Sequence, residues 1–150
     1  PGLWGGVAGA AWLWLLSRLA PAALQPSDPA NAMPLAVKLL YGGITEELLM
    51  RWGVMTLLLW LGWRLLRRGH GQPRNGLVAT AVLFSAVLFA VGHLPAAQAM
   101  AGVLTMPVVA FVLVGNTVFG LVAGGLFARH GLEAAIIAHV LAHLLASPLL

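Results

Sequence analysis

The chain has 150 residues, of which 61% are hydrophobic and 8% charged, and its mean hydropathy is +0.94. A water-soluble domain carries about 25% charged residues, so this composition excludes an ordinary soluble domain and indicates a membrane protein. The net charge is +4, but four of the basic residues lie in one short loop. Without a basic stripe and interleaved aromatic residues, nucleic acid is not an expected partner. The chain has no cysteine, which excludes disulfides, thiolate metal sites and a cysteine nucleophile.

Five apolar stretches follow one another along the sequence. They cover about residues 3–20, 34–63, 77–94, 99–127 and 132–150. One membrane crossing takes about 20 apolar residues, so the second stretch is expected to tilt, protrude or bend near Gly42-Gly43. Pro95 is expected to end the third stretch, and Pro107 to start or kink the fourth. The sequence therefore predicts an all-α fold, a polytopic bundle of about five transmembrane helices that forms one domain over residues 1–150.

The basic residues predict how this bundle is oriented. Alternate crossings place five of the eight basic residues on one side, which is then cytoplasmic by the positive-inside rule. These residues are Arg64, Arg67, Arg68, Arg74 and Arg129, and they are expected to contact membrane lipids. The chain starts at Pro1 and ends inside an apolar run, so it is expected to be part of a longer protein. Its Ala-, Leu-, Gly- and Arg-rich composition suggests a bacterial plasma membrane.

Few ionisable residues lie inside the apolar stretches. They are Glu46, Glu47, Arg51, His93, His139 and His143, with Lys38 nearer an entry. A charge at mid-bilayer costs about 2.5–3.5 kcal/mol on insertion scales, so these side chains are expected in the bundle interior or in a wet cavity. Helical spacing predicts an ion pair between Glu47 and Arg51 and turns Glu46 away by about 100°. It also places His139 and His143 on one helix face.

Three short segments resemble motifs of the CPBP family, which comprises the CAAX prenyl endopeptidases and the bacterial Abi proteins. Residues 46–51, EELLMR, resemble its EExxxR motif, and residues 89–93, FAVGH, are similar to its FxxxH motif. Residues 139–143, HVLAH, resemble HxxxN or HxxxD, with His143 where the family usually has Asn or Asp. The motifs occur in the family's order, within a core of about residues 34–150. The resemblance implies an intramembrane endopeptidase.

The resemblance also implies a role for each of these residues. Glu46 would act as general base on a water that His93 positions, and Glu47, held by Arg51, would orient the site. His139 and His143 would donate hydrogen bonds to the oxyanion. The favoured mechanism requires no cofactor; the alternative is a divalent metal such as zinc, with Glu46, His93, His139 and His143 as candidate ligands. The implied substrate is a peptide or a membrane protein, including one with a lipidated C-terminus.

Two other functions remain open from the residues alone. A catalytically inactive relative could act by binding, as a bacteriocin-immunity-type protein. A proton-coupled transporter also uses buried Glu and His residues, but its polar residues should form a track that reaches both faces of the membrane. A peptidase should instead gather them at one depth. The oligomeric state is left open by the sequence.

Overall fold

The computed structural model describes residues 1–25, 33–66 and 68–147, and these form helices and connecting segments with no strand among them. Arg67, which contributes to the predicted orientation, and residues 148–150 of the fifth apolar stretch lie outside the described residues. The helices of the described part are α1 (Gly2–Leu19), α2 (residues 35–66), α3 (Asn75–Gly92), α4 (Leu94–Ala101), α5 (Met106–His130) and α6 (Leu132–Ala146). A 3₁₀ turn, Ala22–Leu24, follows α1. The all-α prediction is confirmed.

Pro95 and Pro107, which the sequence analysis singled out, both lie in the first turn of a helix. Pro107 is in the first turn of α5, so the predicted start of the fourth stretch at this proline is confirmed. The prediction that Pro95 ends a helix is wrong, because α3 already ends at Gly92 and Pro95 belongs to the first turn of α4. A proline is tolerated there because the N–H that it lacks has no helical partner at that position. Residues 99–101 therefore belong to α4 and not to the fourth stretch.

Helix α2 is π-helical over half of its length. Its ends, Leu35–Val37 and Thr56–Leu66, are α-helical, whereas Lys38–Glu46 and Leu48–Met55 are π-helical. Gly42-Gly43, where the sequence predicted a tilt or bend, lie inside the first π-helical segment. π-Helical turns are rare and occur frequently at functional sites.

The hydrogen bonds of threonine hydroxyls differ between the π-helical part of α2 and the α-helical α3. In α2 the Thr45 hydroxyl donates to the carbonyl of Leu40, 3.1 Å away and five residues earlier, and Thr56 likewise donates to Arg51 at 3.2 Å. The hydroxyl of Thr80, in the α-helical α3, donates to the carbonyl four residues earlier. The threonine hydroxyls therefore bond five residues back at the π-helical turns and four residues back in the α-helix.

The packing places small residues inside and large apolar residues outside. The buried residues are mostly alanine and glycine, whereas Trp4, Trp52 and Met106 are 78%, 66% and 78% exposed. A Cβ added to Gly9 of α1 would lie 2.8 Å from the Cβ of Ala142 of α6, so these two helices approach closely. Small residues at helix contacts and large apolar residues on the outer surface are typical of helices that pack within lipid.

Among the described residues, two helical segments are long and apolar enough to cross a membrane. They are Asn75–Ala101, which comprises α3 and α4, and Met106–His130, which is α5. Helix α6 is also apolar but shorter. By length and composition, these segments are compatible with a membrane protein, and the bundle of about five crossings stays a prediction.

Candidate functional site

Most of the predicted site residues line one cavity, of about 410 Å³, whose walls come from α1 to α6. Its polar lining includes Lys38, Glu46, His93, Asn116, His139 and His143, and apolar walls include Leu13, Leu16, Phe89 and Phe119. The volume lies in the range of about 300–1,000 Å³ typical of ligand sites. Four of the six predicted site residues thus converge here, and Glu47 and Arg51 lie buried beside them.

Glu46 of α2 and His93, at the end of α3, approach each other in this cavity. Nδ1 of His93 lies 2.8 Å from the carbonyl oxygen of Phe89, which can only accept, so Nδ1 is the donor. His93 Nε2 then faces Glu46, with 3.9 Å between it and Oε1 of the carboxylate. This distance is too long for a direct hydrogen bond. The Phe89 ring packs edge-on against the imidazole, with 4.5 Å between ring centroids, and holds its orientation.

Glu47 lies at the centre of a buried polar network. The predicted ion pair is confirmed, with 3.0 Å between Arg51 Nε and Glu47 Oε2 and both side chains fully buried. The second carboxylate oxygen accepts a hydrogen bond from Nδ1 of His139 at 2.8 Å. Arg51 also donates to the hydroxyl of Ser85 at 3.4 Å. The network connects α2 to α3 and α6.

His139 and His143 stack on each other, with 5.0 Å between ring centroids and an interplanar angle of 25°. The ring of Phe119 in α5 packs against His139, with 4.5 Å between ring centroids. Because Nδ1 of His139 donates to Glu47, Nε2 is the nitrogen left for the cavity. Nε2 carries a proton at the same time only in the imidazolium form. The predicted role of His139 as an oxyanion donor therefore requires that form.

Asn116 is a cavity residue that the sequence analysis did not place in the site. Its side-chain amide donates to the carbonyl of Val112, four residues earlier in the same helix, at 2.8 Å. The side chain also lines the cavity with Glu46 and the histidines. The available signal was an amide side chain in the middle of the 25-residue apolar helix α5.

The candidate metal ligands do not form a metal-binding cluster. Over residues 1–25, 33–66 and 68–147, no group of three or more His, Asp or Glu side chains is arranged to hold a metal ion. We therefore assign no residue here as a metal ligand.

Comparison with known protein families identifies the family of this chain. The model of the type II CAAX prenyl endopeptidase Rce1-like family matches residues 28–145, which include all six predicted site residues. The chain belongs to the Rce1-like family. No curated protein and no solved structure matches the chain. The Rce1-like family consists of membrane proteins and implies peptidase activity on a peptide or protein substrate.

In this Rce1-like protein, the close approach of α2 and α6 at Gly43 positions the Glu47–His139 hydrogen bond. A Cβ on Gly43 would lie 2.5 Å from Cγ2 of Val140 and 3.2 Å from its Cα. We expect Gly43→Ala to push the two helices apart, to reduce the free energy of unfolding by about 1–3 kcal/mol and to lower activity. Thermal unfolding in detergent measures the first effect.

A matched control is Gly76→Ala in α3, where an added Cβ has no neighbour within 4 Å among the described residues. Alanine is favoured over glycine inside a helix, so this variant should be at least as stable as the wild type. If Gly43→Ala and Gly76→Ala unfold at the same temperature, the contact at Val140 does not fix the spacing of α2 and α6.

Proposed function

We propose that the protein is a CAAX-type intramembrane endopeptidase whose hydrolytic site is the cavity formed by Glu46, His93, His139 and His143. The observation that carries the proposal is the convergence of these side chains, from three separate helices, in one cavity. The ionised pair of Glu47 and Arg51 is buried beside it. A peptidase requires polar residues gathered at one cavity, whereas a transporter requires a polar track that reaches both faces of the membrane.

In the proposed reaction, Glu46 is the general base. A separation of 3.9 Å between Glu46 Oε1 and His93 Nε2 allows both atoms to contact one water. Glu46 takes a proton from this water as the water oxygen attacks the carbonyl carbon of the scissile bond. The proton then passes by way of His93 Nε2 to the leaving amine as the C–N bond breaks.

The remaining residues orient the site and stabilise the developing charge. Glu47, held by Arg51, fixes the ring of His139 through the hydrogen bond to Nδ1. His139, as imidazolium, and His143 donate hydrogen bonds to the oxyanion of the tetrahedral intermediate. Nε2 of both histidines faces Gly42, because a Cβ added there would lie 3.1 Å from Nε2 of His143 and 3.8 Å from Nε2 of His139.

We further propose that the protein spans a bacterial plasma membrane about five times. The large apolar side chains on the outer surface, such as Trp52 and Phe84, are suited to lipid contact, and the small residues between helices to packing within it. The side of the membrane with the loop between α2 and α3 is then cytoplasmic, because five of the eight basic residues lie on that side.

The test is peptide hydrolysis by the purified protein in lipid vesicles, with and without a strong chelator. We expect cleavage at one bond per peptide, read by mass spectrometry, and equal rates in both conditions. His93→Gln, purified in the same way, controls for a contaminating peptidase and should be inactive. Loss of activity in the presence of the chelator would contradict the metal-free mechanism and indicate a metal-dependent one. Failure to cut peptides or membrane proteins would contradict the endopeptidase proposal.

A further inference from the structure

Asn116 is a polar side chain on the cavity wall that the proposed reaction does not use. It lies on α5, and its side chain borders the cavity together with Glu46 and the three histidines. Phe119, three residues later and therefore on the same helix face, packs its ring against His139 with 4.5 Å between ring centroids. This face of α5 thus brings a carboxamide into the space of the residues proposed for hydrolysis.

The hydrogen bond to Val112 determines which atom of the amide a ligand meets. The partner atom is the carbonyl oxygen of Val112, 2.8 Å away, which only accepts hydrogen bonds, so the atom turned toward the helix is Nδ2. Oδ1 occupies the opposite edge of the planar amide group and is the atom left for the cavity. An oxyanion, which is itself an acceptor, is not a partner for Oδ1, whereas an N–H group is.

Contacts with α1 hold this part of α5 in place. The indole N–H of Trp12 donates at 2.9 Å to the carbonyl oxygen of Gly115, the residue directly before Asn116. A Cβ added to Gly115 would lie 3.0 Å from Cδ1 of Leu16, so the two helices approach closely here. The amide is thus positioned before a ligand arrives, which reduces the entropy cost of binding.

A peptide that enters the cavity needs hydrogen-bond partners for its main chain. The cavity walls are largely apolar, as at Leu13 and Leu16, and a main-chain N–H that loses its water without gaining an acceptor costs free energy. Among the described residues of the wall, the polar side chains outside the proposed reaction are Lys38, Tyr41 and Asn116. Lys38 provides no acceptor, and Tyr41 is 56% exposed. Asn116 is therefore the acceptor best placed for a peptide N–H.

We propose that Asn116 is a substrate-binding residue whose Oδ1 accepts a hydrogen bond from one main-chain N–H of the substrate, at a peptide bond that flanks the one to be cut. This inference rests on the proposed peptidase function. Because the ligand group is a peptide N–H, the contact is the same for every substrate side chain. It fixes the register of the main chain in the cavity and leaves the choice of side chains to the apolar walls.

The experiment replaces single peptide bonds of one substrate by ester bonds, each of which exchanges a main-chain N–H for an oxygen. The bond that is cut stays a peptide bond. At one flanking position we expect the ester to lower kcat/KM of the wild type about tenfold, because its oxygen faces Oδ1 without a proton between them. The loss should lie in KM, with kcat little changed, because the contact is made before the reaction as well as during it.

A matched pair of variants at the same position tests the acceptor. Asn116→Thr keeps an oxygen that can donate to the carbonyl four residues earlier, as Thr80 does in α3 at 2.9 Å, and that still accepts an N–H. Asn116→Val has the same shape without that oxygen. The valine variant should cut the peptide and this ester with equal kcat/KM, and the threonine variant should regain part of the preference. Thr117→Val, next to Asn116 but not among the described residues of the cavity wall, should keep the preference of the wild type.

A binding measurement separates this inference from the peptidase proposal. Glu46→Gln protein is titrated with the peptide and with each ester form, and the titration is repeated with Glu46→Gln/Asn116→Val. A preference for the peptide over one ester form that is lost in the double variant supports the contact even if no cleavage is ever observed. Equal binding of all forms by the Glu46→Gln protein, or no binding, overturns it. An ester pattern that is the same in Asn116→Val and in the wild type overturns it too, and would assign Asn116 to helix packing.

Discussion

Glu46→Gln is expected to lower kcat for peptide cleavage by about 10²–10⁴-fold, the usual contribution of a general base. The amide has nearly the shape of the carboxylate but cannot accept a proton from water. The fold should be retained, because the nearest ionic partner of Glu46 is His93 at 3.9 Å, too far for a direct hydrogen bond. Initial rates at saturating peptide measure the loss, and thermal unfolding in detergent checks the fold.

The matched control for this variant is Glu133→Gln. Glu133 is an exposed carboxylate in the first turn of α6, away from the cavity, and its replacement should leave kcat unchanged. Wild-type activity in Glu46→Gln would remove Glu46 from the reaction. A different result would indicate an immunity-type binding protein: the wild type cleaves no peptide, and the Glu46→Gln variant keeps its cellular function.

Arg51→Met is expected to reduce the free energy of unfolding by about 3–5 kcal/mol, the cost of leaving a buried charge without its partner. Glu47 is fully buried and its carboxylate is shared between Arg51 and His139. Methionine fills much of the space of the arginine but provides no positive charge. Activity should fall as well, because His139 takes its orientation from Glu47. Denaturation in detergent, followed by circular dichroism, gives the loss of stability.

Two further variants separate charge burial from the general effect of removing an arginine. Arg129→Met removes an exposed guanidinium at the end of α5 and should change stability little. Glu47→Gln/Arg51→Met removes both charges and should lose less stability than the sum of the two single variants. If Arg51→Met unfolds like Arg129→Met, the Glu47–Arg51 pair does not contribute to the stability of the bundle.

The sequence predicted the parts of the site that depend on local spacing. Glu47 and Arg51 are four residues apart on one helix, so their pairing follows from helix geometry. Glu47 and His139 are 92 residues apart, and no pattern in the sequence specifies how far α6 is shifted along α2. That shift depends on contacts such as Gly43 against Val140, which become visible only when both helices are packed.

The error at Pro95 and the omission of Asn116 from the predicted site have separate physical reasons. A proline in a sequence is compatible with the end of one helix or with the first turn of the next. Here the chain turns at His93, between α3 and α4, so Pro95 lies in the first turn of α4. Asn116 was not assigned to the site from the sequence, and its hydrogen bond to Val112 satisfies part of the amide within its own helix. The rest of the side chain can therefore face the cavity without a partner on another helix.

The first helix has a consequence for how proteins of this kind diverge. Leu13 and Leu16 of α1 form part of the cavity wall, yet α1 precedes residues 28–145, the part that matches the family. The side chains proposed for hydrolysis and this portion of the cavity wall therefore lie in different regions of the chain. On the proposed function, mutations at Leu13 or Leu16 can change which substrates are accepted without replacing a residue of the chemical step.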